Sequence, residues 1–401
     1  MQKKILIVTE YFYPEEFKIN DVALEWQNQG YEVDVLTMVP SYPVGEVYEG
    51  YKNSWHQVDE WNGVKIHRVK AVTGYKQSLF KKLLKYFSFM TTGSIASLFI
   101  GKRYDYVFGY NMSALTGMMP AVVIKKLYKK PITFWAQDLW PDSVYAYGFK
   151  KTKMLSFFLD KFVGFMYRSV DGIAISGKGF ESKLKPYCKE GQKFHYLPNW
   201  ADDLDMSMEP YKFSDDNKIH FTFAGNVGKV QNLENIIKAF AGLDKSISNK
   251  AQLNIIGDGS ALEDLKNIAP ENTSIVFHGR KPRETMAMYF KGSDFLIVSL
   301  IDEPIFSLTV PAKTQTYIAA KKPILAIVNG DAAEIIKENN LGYSAHPSNI
   351  DEIRSIFIKA IDCDDKQKHE FTKNCEVLTD NVFNQEKTIN MLLSLTLTPD
   401  K

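Results

Sequence analysis

Lys4-Ile5-Leu6-Ile7-Val8-Thr9 is the stretch that decides the fold. Four apolar residues in succession leave no face for water, and a strand of that kind sits in a parallel sheet covered by helices on both sides. Working outward, β-rich runs recur at Glu32–Thr37, Lys65–Val69, Tyr106–Phe108, Ile132–Trp135 and Gly172–Ser176, with amphipathic stretches between them. That alternation predicts a doubly wound α/β domain. A polar, acidic segment, 201–217, follows with Asp202, Asp203, Asp205, Glu209, Asp215 and Asp216, and reads as a linker. The alternation then restarts at Ile219–Ala224, Gln252–Ile256, Ser274–His278, Phe295–Val298 and Ile324–Val328. Two Rossmann-like domains in series are expected to bind ligand in a cleft, at the carboxyl ends of their strands. The expected division is 1–200, 201–382 and a last helix, 383–401, returning to the first domain.

The 401 residues, 45% hydrophobic and 24% charged, exceed what one core usually supports and exclude disordered and fibrous classes. Cys188, Cys363 and Cys375 form no CxxC pair, so neither a disulfide framework nor a zinc knuckle is expected, and a reducing compartment is. The apolar run after Lys4 stops at Thr9 and Glu10, too short for a signal peptide, which predicts a cytoplasmic location. The aromatic stretch without charge, 86–101, spans 16 residues. A membrane span needs about 20, so no transmembrane helix is expected.

The net charge of +2 conceals an asymmetry. Residues 1–200 carry 27 Lys and Arg against 18 Asp and Glu, and within them residues 61–168 carry 18 against 4. Lys81, Lys82, Lys85, Lys102, Arg103, Lys125, Lys126, Lys129, Lys130, Lys150, Lys151 and Lys153 are interleaved there with Phe80, Tyr86, Phe87, Phe89, Phe157, Phe158, Phe162 and Phe165. Cations flanking an aromatic, amphipathic segment suit a helix lying on an anionic membrane, here through 78–168. Core helices with solvated lysine edges are the alternative. Nucleic acid fits poorly, because no recognition motif accompanies the charge.

Five local motifs carry chemistry. Phe223-Ala224-Gly225-Asn226-Val227-Gly228-Lys229 is a glycine-rich turn from strand to helix, able to bring backbone N–H groups and the Lys229 charge to a phosphate. Gly257-Asp258-Gly259-Ser260 is a second such turn, also readable as a simple helix cap. Thr309-Val310-Pro311-Ala312-Lys313 starts a helix with proline and adds a cation to its free N–H groups. His278-Gly279-Arg280 follows a strand, where Arg280 is either a phosphate or nucleobase contact or a surface residue. Gln137-Asp138-Leu139-Trp140-Pro141-Asp142-Ser143 closes an apolar strand with groups suited to a hydroxylated ligand, or packs Trp140 inward as an ordinary turn. No GxSxG, HExxH or P-loop motif occurs, and the seven histidines show no metal-ligand spacing. Hydrolase and metalloenzyme readings lose weight accordingly.

Taken together, these blocks resemble the family-4 retaining glycosyltransferases of GT-B fold, in the branch that makes bacterial surface polysaccharides and includes N-acetylfucosamine-type transferases. The resemblance also rests on Glu10-Tyr11-Phe12-Tyr13-Pro14-Glu15, Val39-Pro40-Ser41-Tyr42-Pro43 with Gly45 and Gly50-Tyr51, Leu197-Pro198-Asn199-Trp200, and Val310–Lys322 followed by Pro323-Ile324-Leu325. It implies an α/β GT-B architecture, two Rossmann-like doubly wound domains facing each other across a cleft. It further implies a UDP-sugar donor, with no cofactor, on the second domain and a polyprenyl-diphosphate-linked saccharide acceptor on the first.

Donor-phosphate roles fall by resemblance on Gly225, Asn226, Lys229, Pro311 and Lys313, with Gly257 and Asp258 beside them. A base-binding role falls on His278, Gly279 and Arg280, and a sugar or ribose contact on Glu334. Acceptor roles fall on Tyr11, Pro14, Asn20, Gln137, Trp140, Asn199 and Trp200. The sequence departs from the pattern in three places. Leu308 and Thr316 occupy the Glu-x7-Glu carboxylate positions, the His-Asp pair reads Gln137-Asp138, and the first-domain glycine loop reads Glu16-Phe17-Lys18-Ile19-Asn20. Transfer with front-face attack then rests on Lys229, Lys313 and Asp138, and requires no metal.

The expected activity is hexosyl or N-acetylhexosaminyl transfer in capsule or O-antigen synthesis, at the inner face of the cell membrane. A UDP-sugar epimerase of the same fold and a non-catalytic sugar-nucleotide-binding scaffold are the competing readings.

Overall fold

A computed structural model describes residues 2–74, 79–146, 149–201, 204–213, 217–270 and 274–399. The chain divides into two compact units, Met1–Pro198 together with Glu386–Lys401, and Asn199–Gln385. Asn199 and Trp200, expected in the first domain, thus belong to the second. Asp202, Asp203, Asp215 and Asp216 of the expected linker lie outside the described residues.

The first unit holds strands β1 (Lys4–Thr9), β2 (Glu32–Met38), β3 (His56–Trp61), β4 (Val64–Val69), β5 (Tyr106–Asn111), β6 (Ile132–Ala136), β7 (Gly172–Ile175) and β8 (His195–Tyr196). They form one sheet in the order β3-β4-β2-β1-β5-β6-β7-β8, parallel except for β3. β1 is buried along Ile5–Thr9, as its composition requires. β3, absent from the expected strands, is polar, and its residues alternate between exposed and half-buried because it is an antiparallel edge strand. β8, two residues long, is too short to leave a periodic signal.

Helix Lys18–Asn28 buries Ile19, Val22, Ala23 and Trp26, a single stripe at helical spacing. Trp26 donates its indole N–H to the Ile389 carbonyl at 3.2 Å, and Thr133 donates its hydroxyl to the Leu395 carbonyl at 3.2 Å. These bonds seat the last helix, Gln385–Leu397, on the first unit.

Helix Leu79–Ile100 packs along helix Met119–Tyr128 at two glycines. A Cβ on Gly93 would lie 2.8 Å from Pro120 Cγ, and one on Gly101 would lie 2.7 Å from Ile124 Cγ1. Within this region Leu83–Arg103, 21 residues at a mean hydropathy of 1.3, is long and apolar enough to cross a membrane. The expectation of no transmembrane helix did not count this segment. That expectation measured the run between charges, whereas the helix tolerates Lys85 by burying it and keeps Lys102 and Arg103 at its end.

The second unit holds β9 (Ile219–Ala224), β10 (Ala251–Ile256), β11 (Ile275–Gly279), β12 (Phe295–Ser299), β13 (Ile324–Ile327) and β14 (Gly342–Ala345). All are parallel, in the order β11-β10-β9-β12-β13-β14. Phe221, Phe240, Phe295 and Phe357 meet ring to ring in the core, with centroids 4.9–6.3 Å apart. β14 is likewise absent from the expected strands, being a short edge strand that begins at a glycine.

Leu392 is fully buried where the last helix meets the first unit. Leu392→Ala is expected to destabilise that unit by about 2–5 kcal/mol. Urea unfolding followed by tryptophan fluorescence checks this through a lowered midpoint for the transition that reports Trp26.

Candidate functional site

Three neighbouring strands of the second sheet run out into glycines of positive φ. Gly225 follows β9, Gly257 follows β10 and Gly279 closes β11, with φ of +136°, +140° and +65°. Their loops are laced together by the Gly225 N–H to the Ile256 carbonyl, the Gly257 N–H to the Gly279 carbonyl, and the Val227 N–H to the Asp258 carbonyl, each at 2.9 Å. A Cβ on Gly257 would lie 1.8 Å from the Gly225 oxygen, so a side chain cannot be added without opening the edge.

Helix Ala312–Ala319, with Pro311 at its N-cap, starts beside these loops. It is pinned to the end of β9 by Tyr317, whose hydroxyl accepts from the Ala224 N–H and donates to the Ala224 carbonyl, both at 3.2 Å. Lys313 extends from its first turn across Gly225, where a Cβ would stand 2.6 Å from Lys313 Cε. Its ammonium lies 3.6 Å from the centre of the Phe223 ring and is buried with no hydrogen-bond partner. Burial pushes Lys313 down to about 7. An anion arriving at the glycine edge would restore that charge.

The other donor-side residues are more open. Lys229 is exposed on the turn Lys229–Gln231, which is held by Gln231 Oε1 accepting from the Gly228 N–H at 3.1 Å and the Asn226 amide at 3.4 Å. Asp258 is exposed and caps its own loop, accepting from the Gly259 N–H at 2.7 Å. Glu334 is exposed in the first turn of helix Asp331–Glu338, after β13 and two strands from β9.

His278 stands at the end of β11 with its ring turned inward. Its ring meets the Asn254 carbonyl oxygen at 3.0 Å and packs edge-on against Tyr211, Phe213 and Tyr289. Burial, then the Lys281 charge, holds its pKa below the ordinary imidazole value. The side chain serves the fold, which leaves the backbone of Gly279 and the exposed Arg280 at the edge.

In the first unit the carboxyl ends of β1, β5 and β6 gather Glu10, Asn111 and Gln137, with the Gln137 N–H donating to the Asn111 carbonyl at 2.8 Å. Asp138 accepts from the Leu139 N–H at 2.9 Å and from the Ser143 hydroxyl, so part of its carboxylate shapes the turn. Trp140 is buried with its indole N–H lacking a protein partner. Asn20 donates to the Glu15 carbonyl at 2.8 Å, while the buried Glu15 side chain accepts from the Ser41 and Tyr42 N–H groups at 2.8 and 2.7 Å. Burial pushes Glu15 up to about 7. The rings of Tyr11, Phe17 and Tyr42 meet with centroids 5.2–5.4 Å apart beside Pro14, and the buried Lys85 bonds the Tyr11 hydroxyl. Asn199 is half-buried and Trp200 buried in the other unit.

Glu10, Lys85, Ser113 and Thr116 gather near the carboxyl end of β1 and were given no role from the sequence motifs. Glu10 opens the motif Glu10–Glu15, but Lys85 is indistinguishable in sequence from the exposed lysines around it. Among the described residues no group of three or more His, Cys, Asp or Glu gathers as a metal site would.

Residues 208–376 match the family model for glycosyl transferases group 1. That stretch lies within the second unit, which is thus similar to group 1 glycosyl transferases. The probable glycosyltransferase WbjE of Pseudomonas aeruginosa is 27% identical over 272 residues, which cover 62% of this chain and 67% of that protein. The putative colanic acid biosynthesis glycosyl transferase WcaI of Escherichia coli K12 is 24% identical over 292 residues, covering 67% and 69%. Among solved structures, the E. coli chain described as trehalose-6-phosphate bound with UDP-2-fluoro glucose superposes with a TM-score of 0.71 at 9% identity, over 98% of both chains. The expected pair of Rossmann-like units is therefore the fold of GT-B glycosyltransferases.

Within the second unit, Thr316 turns its hydroxyl back to the Ala312 carbonyl at 3.0 Å, and Leu308 offers no polar group, so neither does the work of a carboxylate at the expected Glu-x7-Glu positions. The glycine edge with Lys313 is what this domain offers an anion. Because the free ammonium loses its proton through about pH 7, binding of diphosphate above that pH requires proton uptake. Affinity for inorganic diphosphate is expected to weaken between pH 7 and 9, by up to about tenfold per pH unit. Titration calorimetry checks this, and Lys313→Met flattens the profile.

Proposed function

We propose that this chain is a metal-independent retaining glycosyltransferase that moves a hexosyl or N-acetylhexosaminyl group from a UDP-sugar to a polyprenyl-diphosphate-linked saccharide. The observation that carries the reading is the buried, partnerless Lys313 ammonium lying across the glycine edge of a unit similar to group 1 glycosyl transferases. The donor diphosphate takes Lys313 and the N–H groups near Gly225 and Pro311, with Lys229 as the exposed second cation. The acceptor hydroxyl attacks the anomeric carbon as its bond to the diphosphate oxygen breaks, and that oxygen takes the hydroxyl proton. The protein stabilises the departing charge and needs no base of its own. Work on bacterial surface polysaccharide is supported by the likeness to WcaI, named for colanic acid biosynthesis, while the capsule or O-antigen setting and the N-acetylfucosamine-transferase-like branch rest on the sequence blocks alone.

A lipid-linked acceptor brings the enzyme to a membrane, and the first unit has a surface suited to an anionic one. Helix Leu79–Ile100 exposes Phe87, Ile95, Leu98 and Phe99, the last by 74%. Helix Lys153–Arg168 exposes Met154, Phe157, Phe158 and Phe165. Lys126, on the helix between, lies over the Phe165 ring at 5.8 Å, and Lys161 lies over Phe157 at 5.7 Å. Since helix Leu79–Ile100 packs on helix Met119–Tyr128, these rings and cations share one layer, as peripheral binding from the cytoplasmic side requires. Packing at Gly93 and Gly101 favours contact over spanning.

UDP release from a panel of UDP-sugars, with EDTA and with a lipid-diphosphate saccharide in detergent, tests the activity. Acceptor-dependent release is expected, falling at least about a hundredfold in Lys313→Ala and less in Lys229→Ala. Donor binding without release would mark a scaffold, and an epimerised donor would mark an epimerase. For the surface, Phe157→Asp combined with Phe158→Asp is expected to abolish sedimentation with phosphatidylglycerol vesicles while UDP binding is retained.

A further inference from the structure

Glu10 is a buried carboxyl group that the proposed chemistry leaves unused. It follows β1, which lies between β2 and β5 in the middle of the first sheet, and it is 3% exposed. Its backbone is fixed by the Thr37 hydroxyl donating to the Glu10 carbonyl at 3.1 Å. One side-chain oxygen, Oε2, accepts from the Ser113 hydroxyl, whereas Oε1 is buried without a hydrogen-bond partner. The side chain lies in a slot that exists because residue 117 is glycine. A Cβ there would stand 2.7 Å from Glu10 Cγ and 3.2 Å from both Cδ and Oε1. Next to that glycine, the buried Thr116 hydroxyl also lacks a partner.

Leaving such atoms unsatisfied is costly, so a chain that cuts a slot to hold them points to a ligand with groups to match. Burial raises the Glu10 pKa, opposed by the Lys85 charge and by hydrogen bonds from Ser113 and the Ala114 backbone, while the Asp138 charge adds a smaller rise. A phosphate would meet two carboxyl groups here and is a poor occupant. An uncharged group that both donates and accepts, a sugar hydroxyl or an acetamido N–H, is a good one.

We propose that Glu10, oriented by Ser113 and accommodated by Gly117, is a specificity-determining residue that hydrogen-bonds an uncharged hydroxyl or acetamido group of the acceptor sugar. The proposal rests on the glycosyltransferase reading above and adds to it the part of the acceptor that is read. Glu10 makes no bond to the donor and takes no proton in the transfer.

The test uses the full chain and two probes. Methyl glycosides of glucose, galactose and N-acetylglucosamine are followed by saturation-transfer NMR, and the polyprenyl-diphosphate forms of the same sugars are used as acceptors in the UDP-release assay. Glu10→Ala is expected to raise the acceptor KM about tenfold or more, the effect of one lost hydrogen bond. The Kd for UDP by calorimetry stays at its wild-type value. Glu10→Gln, which keeps the volume and both hydrogen-bonding functions, stays within about threefold, and Gly117→Ala behaves like Glu10→Ala.

An unchanged acceptor KM in folded Glu10→Ala overturns the subsite and leaves the transferase reading standing. Equal loss of UDP binding, or a loss in Glu10→Gln as large as in Glu10→Ala, assigns Glu10 a structural role and overturns it as well. Should Glu10→Ala not fold, Ser113→Ala decides, and an acceptor KM unchanged there overturns the proposal. A glycoside signal in the wild type that vanishes in both Glu10→Gln and Glu10→Ala likewise overturns the proposal. A signal that vanishes in Glu10→Ala alone, with no transfer from any UDP-sugar, supports the subsite and sinks the transferase reading. The absence of both glycoside binding and transfer in the wild type overturns both.

Discussion

Parallel strands cannot be joined by a tight turn, so the chain must return through a crossover each time to begin the next strand at the same edge. Every feature of chemical interest here follows from that constraint. The loops leaving β9, β10 and β11 are forced together at one edge of the second sheet, and those leaving β1, β5 and β6 at one edge of the first. Burying Ile5–Thr9 and Phe221–Ala224 on both faces makes each sheet rigid. Polar atoms at the ends of those strands are then held in place by a frame that has no freedom to solvate them.

The two edges use this rigidity differently. The second unit removes side chains at Gly225, Gly257 and Gly279, so that its loops lace together without Cβ atoms, and lays one cation over that edge beside the start of helix Ala312–Ala319. The first unit keeps its side chains and buries them, so that Glu10, Glu15 and Lys85 each lie at 2–3% exposure. Backbone donors and a fixed charge suit a phosphate, while buried carboxyl and hydroxyl groups suit a neutral polar ligand.

Much of this was legible in the sequence. β1 and β9 were placed to the residue because an unbroken apolar run has one structural meaning. The glycine turns after β9 and β10 and the proline-started helix with Lys313 could be read because glycine after a strand and proline before a helix are local rules. What escaped depends on partners distant along the chain. β3 looks like a loop until β4 is beside it, and the ring of His278 turns into the fold because Asn254 and Tyr211 await it. Lys85 becomes exceptional only when a helix face turns it toward Tyr11. Glu10 was visible within its motif, but its isolation depends on Gly117, more than a hundred residues away.

The return of helix Gln385–Leu397 to the first unit has a consequence for how the molecule is made. Ile389, Leu392 and Leu395 complete a core whose other members lie before Pro198. Synthesis runs from the N-terminus, and domains usually fold as they emerge. Here the first unit to be translated is the last to be finished, because the ribosome must deliver the whole of the second unit before the closing helix arrives. Until then the Trp26 face stays open, and a nascent chain waits with a parallel sheet partly uncovered. The second unit, contiguous in sequence, is complete before the first is closed.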